Sequence, residues 1–343
     1  MSQAIRLQLA LWLTGLICLA GPVRACELCA IYNANNASGQ ANAGWLLSLA
    51  EQFVPYRTLQ FNGDEFSMSD PDYLLSSITH VVPTYNFSPR FGLSLNLPTV
   101  YRSFKRREVR YSTTGPSQLT VEEGDELAFG DMALVARWTA WEKSEMEYGV
   151  VLNLLGGVKF PTGDTDRVED EVEQARIYDS LLPPNTPHDP LGHSISGVHQ
   201  HEISPGSGSF DGIFGVTLNT RWQRFFFNSQ VQYYLRTEGE DTFEYGDELM
   251  VSGGPGVYAL LNDSFTLSFQ ALAVYDTLAR AELLGRKSDS TGMTAWYMGP
   301  LMTVTWGERF SANAGGDIPL RIVNNGFQNV PNFRFHAGFS YRF

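Results

Sequence analysis

The chain ends "NFRFHAGFSYRF", residues 332–343, and this stretch decides the fold. Phe333, Phe335, Ala337, Phe339, Tyr341 and Phe343 alternate with Arg334, His336, Gly338, Ser340 and Arg342. Successive side chains leave a strand on opposite faces, so one face here is wholly apolar and the other polar or small. The pattern recurs upstream. In "FGLSLNL" (91–97), "FNSQVQYYL" (227–235) and "FSANAGGDI" (310–318), large apolar residues alternate with Gly, Ser, Asn, Gln and Asp. Apolar side chains toward lipid and polar ones toward a lumen make the wall of a transmembrane barrel.

The connections between such stretches alternate in length. Short ones lie near 87–91, 142–145, 220–224, 261–265 and 306–310. Long ones are expected at 61–73, 104–127, 161–208, 237–245, 279–290 and 322–331. The intervals hold about twelve strands, an even number as bacterial barrels require. The fold expected is all-β: a closed antiparallel transmembrane β-barrel of about twelve strands spanning 45–343. Short turns belong on the periplasmic side, which places both termini there and the long loops, above all 161–208, outside. Tryptophans at 45, 138, 141, 222, 296 and 306 fall near strand ends, as interfacial girdles would. The last strand, through Phe339, Tyr341 and Phe343, resembles the signal by which a barrel is handed to the barrel-assembly machinery.

The start of the chain agrees with export. Residues 1–25 combine a cationic Arg6, an apolar run from Leu7 to Ala20, and Val23 and Ala25 at the −3 and −1 positions, and are expected to be a cleaved signal peptide. Cys18 would leave with it. Losing Arg6 and Arg24 lowers the 24 basic residues to 22 against 37 acidic ones, about −15. That balance excludes a nucleic-acid partner, which needs clustered Lys and Arg. After residue 25 no run of 18 apolar residues exists, so no helix is expected to span a membrane. The location expected is the outer membrane of a Gram-negative bacterium, with lipid and lipopolysaccharide as surroundings.

Three stretches carry a family resemblance: "FGDMALVARW" (129–138), "GVKFPTGD" (157–164) and "SPGSGSFDGIFG" (204–215). In this order, on successive strands, they resemble the MetA-pathway phenol-degradation family of outer-membrane proteins. The resemblance implies an exported barrel that passes aromatic or other hydrophobic compounds. On the residues themselves, Pro161 and Gly163 end a strand, and Gly206 and Gly208 let the chain bend back into the wall. They would shape the base of the largest loop.

Function resides in three places. The inward faces supply a mixed polar lumen lining: His80, Asn96, Asn153, Lys159, Asn228, Gln230, Gln232, Asp317, Arg334, His336 and Arg342. The longest loop holds four of the six histidines, His188, His193, His199 and His201, among acidic residues, a composition suited to zinc, copper or nickel. Its bland reading is a polar exposed loop. Acidic residues concentrate there and at 237–248, where divalent ions could bridge them to lipopolysaccharide, or where they could repel anionic solutes. No catalytic set is legible, and no resident cofactor is expected beyond a possible metal ion.

The third place is "CELC" at 26–29. Cys26 and Cys29 could form a disulfide in an oxidising compartment, serve redox or Cu(I) chemistry, or leave Cys26 acylated. Ala30 excludes the Cys-x-x-Cys-His haem attachment. The small polar segment 26–44 is a candidate lumen plug. These readings converge on a passive outer-membrane channel for small solutes. The alternative is a metal-handling or redox-associated barrel.

Overall fold

The computed structural model describes residues 43–343 except 185, 193, 240, 263 and 308. Twelve antiparallel passes close into a barrel. They are β1 (Gly44–Phe61), β2 (Tyr73–Ser88), β3 (Phe91–Arg110), a pass split into β4 (Gln118–Phe129) and β5 (Ala133–Ser144), and β6 (Tyr148–Lys159). After helices α1 (Asp166–Leu181) and α2 (Gln200–Ile203) come β7 (Asp211–Trp222), β8 (Phe225–Leu235), β9 (Glu248–Leu261), β10 (Phe265–Leu278), β11 (Met293–Trp306) and β12 (Phe310–Asn324). The last pass is split into β13 (Phe327–Pro331) and β14 (Arg334–Arg342). Closure occurs at β1, where Ala50 lies opposite His80 on one side and Gly338 on the other. Closure removes the open edges of the sheet, the condition for one in lipid; β4 and β13 extend from it, paired, among the described residues, only with β3 and β1.

Burial follows the sequence alternation. In β14, Arg334, His336, Ser340 and Arg342 are buried while Phe335 and Phe339 are exposed. Outward apolar residues align across strands. Leu154 is paired with Val216, Val216 with Val231, and Val231 with Val251, and all four are at least a third exposed. Exposed Trp45, Trp138, Trp141, Trp222 and Trp306 ring the rim where β1 begins and β14 ends, and Trp296 stands at the opposite rim. A Val216→Arg variant puts a charge on this apolar band. It is expected to lose about 2–4 kcal/mol, read by urea titration of folding into lipid vesicles. Unchanged stability would show that the band does not face lipid.

Two expected loops are corrected. Residues 104–127 and 322–331 are mostly strand, because β3 reaches Arg110, β4 starts at Gln118 and β12 turns into β13 over two residues. The charges in 104–127 read as a loop, yet they form a cross-strand ladder. Arg106 lies opposite Glu122, Lys105 opposite Glu123 and Arg102 opposite Glu126. Opposite charges facing each other favour a strand that rises clear of the membrane. The wall is consequently tall along β1–β4 and lower where β6 ends at Lys159.

The segment after β6 is also corrected, from an exposed loop to a folded cap. Val168, Val172 and Ala175 recur at helical spacing and are buried on one face of α1. Asp166 and Glu169 sit in its first turn, where the helix dipole favours acids, and Pro183 and Pro184 follow its end. That face packs on Leu191, Phe243, Ala281 and Leu283, across the opposite loops. Val198 and Ile203 pack against Leu74 and Phe104 of the tall wall. Arg110 pairs with Asp170 at 2.8 Å and Arg167 with Glu122 at 2.6 Å, tying α1 to β3 and β4. Several acids of the loop thus face bases of the barrel or the cap itself.

Candidate pore and its loop cap

The inward residues form ladders. His80 Nδ1 and Asn96 Oδ1 lie 3.1 Å apart. Thr139 donates to Asn153 at 2.8 Å, and Asn153 donates to Thr217 at 2.9 Å. Gln230 donates to Gln232 at 2.8 Å, and Gln232 to the Tyr234 hydroxyl at 2.6 Å. Asn228 is half-buried and lines a cavity of about 390 Å³ with Gln230, Ser252 and Gln270. The His336 ring sits close over Gly315 of the neighbouring strand, where an added Cβ would fall 2.6 Å from its Nε2. Arg342, six residues further along β14, is buried on the same face.

A charge cluster crosses three strands. Arg334 donates to both oxygens of Asp317, at 2.8 and 3.2 Å, and to Asp276 at 3.2 Å. Its guanidinium lies 3.6 Å from the Tyr297 ring centre. One cation thereby holds two buried carboxylates in fixed positions.

The sequence reading missed the apolar part of the interior. Ile213, Tyr234, Met250, Val274, Tyr297 and Ile322 belong to one buried cluster inside the wall. They occupy the inward register, so they sit beside the polar ladders and not in the lipid face. Tyr234 was within reach, since stepping Asn228, Gln230, Gln232 by two more residues arrives at it. Alternation assigns faces, however, and says nothing of which inward residues meet across the lumen.

The three motifs at 129–138, 157–164 and 204–215 converge on one side chain at the base of the cap. Asp131 accepts from the backbone of Thr162 (3.1 Å), Gly163 (2.9 Å) and Ser207 (2.9 Å) and pairs with Lys159 at 2.7 Å. Lys159 also reaches Asp211 at 2.8 Å, and Asp211 pairs with Arg236 at 2.9 Å. Gly163 and Gly206 cross so closely that a Cβ on Gly206 would lie 2.4 Å from the Gly163 carbonyl carbon. These glycines are needed for close approach, a role beyond turn punctuation.

The histidines separate. His188 meets Asp179 and lies 3.2 Å from Arg286 Nη1. His199 and His201 stack with ring centres 5.4 Å apart, both against Glu171 of α1. Burial alone would raise the Glu171 pKa, but the two imidazoles and their hydrogen bonds outweigh it and hold the carboxyl well below its usual range. Glu171 was not singled out from sequence, because it stands about thirty residues from its partners. His193, Cys26, Cys29 and the segment 26–42 lie outside the described residues.

No family model and no curated protein matches the chain. Among solved structures, the COG4313 outer membrane channel from Pseudomonas putida F1 is similar. It has a TM-score of 0.55 and 12% identity, over 88% of this chain and 96% of that one. The toluene transporter TodX of P. putida overlaps more loosely, with a TM-score of 0.38 and 8% identity over 94% and 98%. The first likeness shows a shared fold, the outer-membrane β-barrel.

Proposed function

We propose that this chain is an outer-membrane channel for small, uncharged or weakly polar solutes, aromatic compounds included, whose access is governed by the folded cap. The observation that carries the reading is the interior, where an apolar cluster around Tyr234, Met250, Val274 and Tyr297 runs beside hydrogen-bonded ladders of Gln, Asn and Thr. A purely polar lumen would exclude apolar solutes by their poor hydration. A purely apolar one would hold them too firmly to release. The similar Pseudomonas putida structure is itself an outer membrane channel. The three motifs that meet at Asp131 support placing the chain with the MetA-pathway phenol-degradation family. In this reading the termini are periplasmic and the cap faces outward. Of the metal-handling or redox alternative, Cys26 and Cys29 lie outside the described residues, and the histidine loop contributes His199 and His201 beside Glu171.

The test is solute flux in liposomes holding the full chain, beside a variant in which 166–203 is replaced by a short Gly-Ser linker. Small neutral aromatics are expected to pass, and faster, about tenfold or more, through the shortened cap, since the pore and no longer the cap then limits access. Absence of protein-dependent flux in both forms would overturn the channel reading.

A further inference from the structure

Glu171, His199 and His201 form a site of a different kind from the pore. Their exposures are 0, 1 and 5%. One ligand atom from each lies within 4.8 Å of the other two. His201 Nδ1 is 2.6 Å from one carboxylate oxygen of Glu171, and His199 Nδ1 is 3.6 Å from the other. The backbone N–H groups of Gln200 and His201 donate to those same oxygens, each at 3.1 Å. Phe243 and Tyr245 pack around the His201 ring, and the Tyr245 hydroxyl donates to the His201 carbonyl at 2.9 Å.

We propose that these three side chains bind a zinc ion that clamps α1 to the segment entering α2 and so locks the cap. Two imidazoles and one carboxylate are a donor set that suits Zn²⁺. Tetrahedral ligands at about 2.0–2.2 Å from zinc lie about 3.3–3.5 Å from one another. The three atoms, all within 4.8 Å of one another, depart from that spacing by at most about 1.5 Å, a change side-chain rotation can supply. The two amides on Glu171 fix the carboxylate's orientation, as outer partners do in built metal sites. His201 also lines a cavity of about 160 Å³ under the cap, enough for a water molecule as fourth ligand. The chain between α1 and His199 is otherwise a long excursion. A metal joining its two ends stabilises the closed cap by binding only when the cap is folded. His188 takes no part, being engaged with Asp179 and Arg286.

The experiment uses the full chain in detergent, with Cys26→Ser and Cys29→Ser introduced so that thiols contribute nothing. After chelator treatment, zinc is added back and the bound zinc measured, and Co²⁺ is titrated separately for its tetrahedral visible spectrum. One zinc per chain, the cobalt spectrum and slower proteolysis within 160–210 are expected. Glu171→Gln keeps the shape of the site and is expected to weaken zinc binding by at least about tenfold. His199→Ala with His201→Ala should abolish it, and His188→Ala should leave it unchanged. Retention of zinc by the double-histidine variant, or no uptake by the parent, would overturn the proposal. None of these readouts needs solute flux, so the site and the channel stand or fall separately.

Discussion

An Arg334→Met variant is expected to lose about 3–5 kcal/mol of folding stability, because it removes one partner of a buried ion cluster and strands the others. Arg334 holds Asp317 through two hydrogen bonds and Asp276 through a third, while its flat face covers Tyr297. Methionine fills much of the volume but leaves two carboxylates close together without a cation. Arg334→Lys is expected to fall between, since a single ammonium cannot form the paired contact with Asp317 and also stack on the ring. Pairing Arg334→Met with Asp317→Asn should recover part of the loss, because the stranded charge is what costs most. Urea unfolding, or the temperature at which the folded band disappears on a semi-native gel, reads the effect. Stability equal to the parent's would mean that the cluster is hydrated and contributes little.

The second large effect is expected at Asp131→Ala. The backbone N–H groups of Gly163 and Ser207 lose their acceptor together, that of Thr162 keeps only the Phe160 carbonyl, and Lys159 keeps Asp211 and Ser207. Each donor left without a partner costs about 1–3 kcal/mol, so the base of the cap should open well before the wall unfolds. Asp131→Asn keeps one accepting oxygen but turns an amide toward Lys159 and Ser207, and should lie between. Limited proteolysis within 160–210 and amide exchange at Thr162 and Gly163 report the opening. A cap as resistant as the parent's would remove Asp131 from any role in holding it. If the cap governs access, the same variant also passes solute faster in liposomes.

The wall was legible because a strand in lipid obeys a local rule. Each residue faces lipid or lumen by parity, so "FNSQVQYYL" and "NFRFHAGFSYRF" declare their faces without knowledge of their neighbours. The rule misleads where charges depart from it. Arg106 and Glu122 read as loop residues until the register sets them opposite each other above the membrane. It is silent on the interior, where Met250, Val274 and Tyr297 meet only because strands far apart in the chain are curved toward a common axis.

By itself, then, the sequence determined a closed antiparallel barrel, its approximate strand number, and the parity of its inward and outward faces. These follow from a period of two and from the need to satisfy every backbone group within the wall. The tertiary structure alone decided that the longest connection folds into a cap and that three separate motifs meet at Asp131. It alone brought Glu171 between His199 and His201. Such convergences depend on chain paths that cross at long range, as Gly163 and Gly206 do, and no local periodicity encodes a crossing.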